Sequence, residues 1–361
     1  MERWAALAAV WRGRLLDARR VPSARHVRER RPRRRLLLFE LVAAAAAPLA
    51  IAESWDVSLW GKRRAFTEHV EKIAELVSDK TGGDFTLNLS YGGLSKNREN
   101  LDGISVGAFE MAQFCAGYHR DKNPTITVLE LPFLGVGDLE TEIKVSQAVY
   151  GHPATIADLA RWNATLLMPS PLPQYNIAGN GKAPATLADF AGMSVRATGG
   201  IGNALKKIGV SPVSLGAGEV YGAMESGAIK GAAFAPHAHL AFKVVDESEW
   251  WTSNLNPGTV NCPVVVNSDA LADLSDEHRD ALLGSVDEAL AHYLEAYQVS
   301  VDKFNAEVSA RNIATLTYSD EDVAKLAATA EPVLNDWLAA MEDAGVPGQE
   351  LYDLVKATLA D

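Results

Sequence analysis

From residue 55 onward, segments with the two-residue period of a strand take turns with segments of helical period, and this alternation restricts the chain to an α/β fold. Residues 56–60 predict a strand with Val57 and Leu59 on one side. Residues 66–78 predict a helix, because Phe66, Val70, Ile73 and Val77 recur at helical spacing and Gly82-Gly83 stops it. Phe85, Leu87, Leu89 and Tyr91 alternate along a half-buried strand. Helices over 97–104, 139–150 and 153–162, with strands over 109–114 and 164–168, continue the order. The pattern then returns. Thr186 and Asp189 open a short helix as a capping box, and strands 193–197, 213–215, 229–234 and 263–266 are interleaved with helices 203–208 and 219–225. Ser275, followed by Asp276 and Glu277, caps a helix that no proline interrupts as far as Arg311. A last helix starts at Ser319 and breaks or kinks at Pro332. Such an order predicts mostly parallel sheets with helices on both faces.

The N-terminus is of another kind. Arg31, Arg33, Arg34 and Arg35 precede a short apolar run, 36–47, broken only by Glu40, and Ala50-Ile51-Ala52 follows Pro48. A basic, an apolar and a small-residue stretch in that order predict an export signal, cleaved near Ala52-Glu53. The run is too short to cross a bilayer, which takes ~20 residues. Arg34-Arg35 is a weak twin-arginine pattern, and the cleavage site has no Cys to carry a lipid anchor. Twelve arginines against four acids give residues 1–52 a charge of +8, which leaves −20 on residues 53–361 of the chain's −12. So acidic a body repels phosphate, and no nucleic acid partner is expected. If it binds anions, it must hide a local positive site. Cys115 and Cys262 can pair or stay free, and two buried single thiols are the plainer reading.

Three local patterns invite chemistry. Gly103-Ile104-Ser105-Val106-Gly107 matches a nucleophile elbow, but a helix precedes it and a strand follows, the reverse of the order that lifts a serine above a sheet. His237 and His239 have no Cys or acidic neighbour to complete a metal site and are expected as a solvent-side or loop pair. Residues 195–204 run strand, glycine loop, helix start; free amides there attract anions, and Arg196 adds a fork suited to a carboxylate. Trp60, Tyr91, Phe114, Tyr118, Phe234, Trp250 and Trp251 fall at or after strand ends, where open α/β sheets bind ligands.

Residues 192–231, GMSVRATGGIGNALKKIGVSPVSLGAGEVYGAMESGAIKG, resemble the signature region of the DctP-type periplasmic binding proteins of TRAP transporters. The matching features are Arg196 on its strand, Gly209 to Val213, and Glu219-Val220-Tyr221 to Gly227. Upstream, DKTGGDF, ENLDGISVGAFEMAQF and LELPFL are similar to first-lobe segments, and VVVNSDALADLSDEHRDAL to the return into the long helix. The resemblance spans roughly residues 55–340. It implies two α/β lobes joined by crossing strands and a long helix: residues 53–172 completed by about 262–300, and 173–261 completed by about 301–361. It implies that Arg196 meets a ligand carboxylate; Gln174, Tyr175, Trp60, Phe114, Tyr118, Phe234, Glu219 and Trp251 are expected around it. Phe234 stands where the family often has an Asn, and the second Arg of some members is missing near Gln174-Tyr175, so a less polar pocket is expected. The expected protein is a monomeric periplasmic carrier of a small organic acid, delivering it to TRAP membrane permease subunits for ion-gradient-driven uptake. It needs no cofactor or metal and is not an enzyme. The rival readings are a ligand-binding partner of a membrane sensor and a periplasmic hydrolase.

Overall fold

A computed structural model describes residues 52–360. The expected export signal, residues 1–52, lies outside the described residues except for Ala52. Among the described residues, eleven strands and thirteen α-helices follow in chain order. The strands are β1 Glu53–Leu59, β2 Phe85–Tyr91, β3 Met111–Gln113, β4 Ala164–Pro169, β5 Asn176–Gly179, β6 Ser194–Arg196, β7 Ser211–Val213, β8 Gly231–Phe234, β9 Trp250–Thr252, β10 Pro263–Asn267 and β11 Ala314–Leu316. The helices are α1 Glu68–Lys80, α2 Asn100–Ser105, α3 Leu139–Tyr150, α4 Pro153–Ala160, α5 Gly199–Lys207, α6 Val220–Glu225 and α7 Pro236–Ala241. They continue with α8 Ser268–Asp273, α9 Asp276–Leu283, α10 Val286–Ala310, α11 Asp320–Ala327, α12 Ala330–Asp343 and α13 Gly348–Ala360.

Two sheets carry the fold. The first has the order β2-β1-β3-β10-β4 and the second β11-β9-β5-β8-β6-β7. Both are mixed. Five pairings are parallel, and the four antiparallel ones all belong to two strands, β10 and β5. Each of these two strands lies inside its sheet, between neighbours that run the other way. Local sequence explains the outer elements. In β1, Trp55, Val57 and Leu59 turn inward while Ser54 and Asp56 face out. In α1, Val70, Ile73 and Val77 are buried on one face, as their spacing predicts.

The helix expected over 276–311 is two helices, α9 and α10. The break falls at Gly284-Ser285. There the Lys80 ammonium, at the end of α1, bonds the Gly284 carbonyl at 3.0 Å and Ser285 Oγ at 2.8 Å, and Ser285 Oγ turns back to the Ala281 carbonyl. Polar side chains thus take over the helix-end groups that a continuous helix would have paired internally. Beyond the break, α10 packs on both halves of the molecule. It lies against α1 and against α7; the Tyr293 hydroxyl donates to the Pro171 carbonyl at 2.7 Å, and the Tyr297 hydroxyl is bonded to His237 Nδ1. The single helix expected after Ser319 is three, α11 to α13. Ser319 caps α11 as expected, accepting from the Asp322 amide at 3.2 Å. The break expected at Pro332 is present: α11 ends at Ala327 and α12 begins at Ala330, which puts Pro332 in the first turn of α12, where a missing N–H has no partner to lose.

Cys115 and Cys262 are joined in a disulfide, which corrects the expectation of two single thiols. Cys115 lies two residues past β3 and Cys262 directly precedes β10, so the bridge ties together two adjacent strands of the first sheet.

Candidate ligand-binding site

A cavity lies where the parallel strands end. Trp60 follows β1; Cys115, Gly117 and Tyr118 follow β3. Arg196 ends β6, with Thr198 just beyond, Ala217 lies past β7, and Phe234 ends β8. The antiparallel strands bring their beginnings to the same place, with Tyr175 before β5 and Val260 before β10. The free volume among these residues is about 30 Å³. By this measure one water takes about 10–15 Å³, so there is room for a couple of waters and an organic ligand requires the walls to move apart.

Arg196 is 2% exposed. Its guanidinium donates from Nε to the Leu215 carbonyl at 3.2 Å, from Nη1 to the Ala233 carbonyl at 3.1 Å and from Nη2 to the Tyr118 hydroxyl at 2.9 Å. It lies 4.1 Å from the centre of the Phe234 ring. Five N–H groups minus these three leaves one on each Nη. Among the described residues no carboxylate lies within ion-pair distance of it. A buried, rigidly held cation without a counter-charge is costly unless something else supplies the anion.

A second buried cation adjoins the same walls. Arg64 is 8% exposed. Its Nη1 donates to the carbonyls of Trp60 at 3.1 Å and Lys62 at 2.6 Å, while Nε and Nη2 have no partner among the described residues. Its guanidinium carbon sits 4.4 Å from the Trp60 ring, 4.9 Å from Phe66 and 5.4 Å from Phe242, and all three rings line the cavity. Burial alone pulls the Arg64 pKa down to about 10, so the group stays charged at neutral pH. The indole N–H of Trp60 is likewise buried and unpartnered. Between the two arginines the rings are stacked: Phe242 lies parallel to Trp60 at 6.2 Å and near-parallel to Phe234 at 5.9 Å.

Glu130 also reaches the cavity. Its Oε1 accepts from the Gly117 amide at 2.9 Å, and its Oε2 is buried without a partner. Burial raises its pKa to about 7. This residue alters the reading of the glycine loop. A Cβ on Gly199, whose φ is +58°, would stand 2.5 Å from Glu130 Oε2, and one on Gly200 would stand 2.1 Å from the Glu130 carbonyl. The glycines therefore let the segment around Glu130 press against the start of α5. The helix end that was expected to face a ligand anion is covered by the protein's own carboxyl group.

Of the residues expected at the site, Arg196, Trp60, Tyr118, Tyr175 and Phe234 come together at the cavity. The other four do not line it. Phe114 is fully buried and edge-on to His119, within the core of the first sheet. Gln174 donates to the Val136 carbonyl at 2.8 Å. Glu219 accepts from the Gly216 amide at 2.7 Å, closing the turn before α6. Trp251 sits on β9, where its indole donates to Thr315 Oγ1 at 3.0 Å and its ring meets Phe304 edge-on. His237 and His239 are buried, not solvent-side. His237 lines the cavity and stacks on Phe66, and His239 Nε2 bonds the Asn176 carbonyl at 3.2 Å. Burial drives His237 well below the usual imidazole range, and neighbouring Arg64 adds to the shift. Ser105 ends α2, ahead of β3, in the order that speaks against a nucleophile elbow. Glu130, Phe66 and Phe242 line the cavity without having been marked in the sequence, His237 was expected elsewhere, and Arg64 packs behind Trp60, Phe66 and Phe242.

Two mixed sheets, an inserted antiparallel strand in each, and a buried cation at the strand ends define the class of two-lobe solute-binding folds. Residues 57–340 match the family model DctP, bacterial extracellular solute-binding protein, family 7, and the chain belongs to that family. Solved structures share the fold. A TRAP periplasmic solute-binding protein from Roseobacter denitrificans, with bound β-D-glucuronate, is 22% identical with a TM-score of 0.74 over 84% of this chain and 99% of that one. A marine metagenome TRAP solute-binding protein specific for aromatic acid ligands, in complex with 3-hydroxybenzoate, is 20% identical with a TM-score of 0.77 over 86% and 98%. A Rhodoferax ferrireducens TRAP solute-binding protein with copurified benzoate is 17% identical with a TM-score of 0.77 over 85% and 97%.

Proposed function

We propose that this chain is the exported solute-binding subunit of a TRAP-type transporter and that it captures a small organic carboxylate on Arg196. The observation that carries the reading is the state of that guanidinium. It is buried, fixed by three hydrogen bonds, stacked on Phe234, and has no carboxylate partner among the described residues. One free N–H on each Nη matches the two oxygens of a carboxylate. The surrounding wall of Trp60, Phe66, Tyr118, Tyr175, Phe234 and Phe242 favours an acid with an apolar or aromatic body over a sugar acid. The relatives that bind glucuronate, 3-hydroxybenzoate and benzoate all hold acids, in keeping with this reading.

The test is a thermal-shift screen of residues 53–361 against organic acids, followed by calorimetry on the hits. A ligand that binds only the native state raises the melting temperature with concentration. Stabilisation by aromatic or apolar carboxylates, and none by their amides or methyl esters, is the expected result. Stabilisation by neutral or cationic solutes alone defeats the proposal. The competing role, ligand delivery to a membrane sensor, uses the same site; adjacent genes for a small and a large permease subunit separate the two.

A further inference from the structure

Resting on the carboxylate reading above, we propose that the cavity takes up one proton with its acid, and that the proton settles on Glu130. Among the described residues Glu130 is the one acid in the cavity wall, and Arg196 shares that wall. The space between the lining residues is small, so a carboxylate seated on Arg196 has the Glu130 side chain for a neighbour. The Glu130 carboxyl has little room to turn away. A Cβ on Gly117 would stand 3.0 Å from Oε2 and 3.2 Å from Oε1, and one on Gly199 would stand 2.5 Å from Oε2. The group is thus clamped between the loop after β3 and the start of α5, where only glycine leaves it space. Oε1 accepts from the Gly117 amide at 2.9 Å, while Oε2 is buried and has no hydrogen-bond partner among the described residues. A negative charge on so poorly supported an oxygen is costly, and a proton on Oε2 removes it.

The surrounding groups do not reverse this. Arg120 draws the carboxyl partway back toward its ionised form, and the Gly117 and Asn261 amides act in the same direction. The first turn of α5 brings no charged side chain. In the cavity wall, the Arg196 cation is committed to three acceptors, one of them the Tyr118 hydroxyl. Burial keeps Tyr175 and His237 neutral. Arg64 lies behind the rings of Trp60, Phe66 and Phe242. Burial outweighs the attractions, and Glu130 titrates at about 7 before any ligand arrives. An acid on Arg196 brings a second negative charge to the same wall and raises that value further, because two carboxylates sharing a site do not both stay ionised. Each ligand anion bound to the ionised protein is then accompanied by one proton from water, which ends on Oε2. Affinity is full below pH 7 and falls as pH rises, since the free protein must first regain the proton.

Calorimetry with benzoate, 3-hydroxybenzoate and butyrate, whose carboxyls are ionised throughout, reads affinity from pH 6 to 8.5. Buffers of different ionisation enthalpy give the number of protons taken up. Wild type should take up more than half a proton at pH 7.5 and bind about tenfold more weakly at pH 8.5 than at pH 6. Glu130→Gln should abolish the uptake and bring the pH ratio to within about twofold of unity, whatever its affinity. Glu130→Asp keeps a carboxyl and should keep part of the uptake. Melting curves show whether each variant is folded. If Glu130→Gln is not, carbon-13 NMR of the glutamate carboxyls in wild type takes its place: one resonance should titrate near 7 in the free protein and about a unit or more higher with the acid bound. Affinity that holds or rises with pH, uptake that survives Glu130→Gln, the absence of such a resonance, or binding of none of the three acids overturns the proposal. Arg196→Gln separates it from the reading it rests on. Binding that is lost in that variant but flat with pH in wild type leaves the carboxylate site standing and removes the proton.

Discussion

Replacing Arg196 tests the site most directly, and the structure sets two separate magnitudes. Arg196→Ala removes a cation that a bound carboxylate would meet away from water. Losing one member of such a pair costs ~2–5 kcal/mol, or roughly thirtyfold to several-thousandfold in affinity. The same change strands the Leu215 and Ala233 carbonyls and the Tyr118 hydroxyl and leaves a gap over Phe234. Each orphaned buried group costs about 1–3 kcal/mol, less where water enters the gap, so the variant should also melt several degrees lower. Arg196→Lys separates the two effects. An ammonium can still reach one or two of the three acceptors, which limits the loss of stability, but it cannot offer the parallel pair of N–H groups to a carboxylate. Calorimetry with the acid found by screening, beside a melting curve for each variant, reads both quantities. Affinity of Arg196→Ala within threefold of wild type would refute the reasoning, because the anion would then be held elsewhere.

Four further outcomes are expected. Glu130 has its pKa raised to about 7 against an ordinary 4.5, so its contribution to stability is fully present below pH 4.5 and is lost as pH rises through 7. Glu130→Gln should leave unfolding stability unchanged at pH 4 and raise it at pH 8 by on the order of 2–3 kcal/mol, seen as a higher melting temperature; a variant less stable at pH 8 contradicts this. His69 and His239 are held at about 3 and about 4 by burial, against an ordinary 6.5, so their stabilising effect is present above pH 6.5 and is lost as pH falls. Melting temperature should drop steadily from pH 6.5 to 4, and His239→Gln should flatten that slope. Reducing the Cys115–Cys262 bridge should lower the melting temperature by roughly 5–10 °C without abolishing folding, since such a bridge is worth ~2–4 kcal/mol; an unchanged curve defeats this. N-terminal sequencing of exported protein should begin near Glu53, and an exported form that retains residues 1–30 refutes the signal.

What the sequence revealed and what it hid follow from the range of the forces involved. β1, α1, β2, α3 and β4 have long, regular periods, and their boundaries were legible to within a few residues. β5, β9 and β11 were not, because three or four residues such as Asn176-Ile177-Ala178-Gly179 carry no period. They are strands only because their neighbours pair with them. Arg196 was legible because its glycine loop is unusual, although the glycines proved to serve the close approach of Glu130. Arg64 was hidden among Lys62, Arg63 and Arg64 in a basic loop. Nothing local distinguishes the buried member from its exposed neighbour, and only the aromatics at 60 and 66 on either side hint that one of the three is caged. Glu130 left a clearer trace, an acid inside the apolar run Leu129-Glu130-Leu131. The aromatics at strand ends divided unevenly. Trp60 and Phe234 turn toward the cavity, whereas Phe114 turns into the core and Trp251 to the sheet's far edge, a choice made by the tertiary setting of each strand.

The position of β10 has a consequence for how the molecule is made. A chain emerging from its N-terminus has β1 to β4 in hand early, yet β3 and β4 are not neighbours in the finished sheet. The slot between them stays vacant until residues 263–267 arrive, by which time most of the second sheet has already been synthesised. Neither half is therefore a self-sufficient piece. A chain cut before Pro263 keeps two unpaired strand edges facing each other, an invitation to pair with another copy. Cys115 borders that slot and Cys262 leads the strand that fills it, so seating the latecomer brings the two sulfurs together. It works as a latch on the inserted strand, and a chain in which it has closed cannot lose that strand without carrying β3 along.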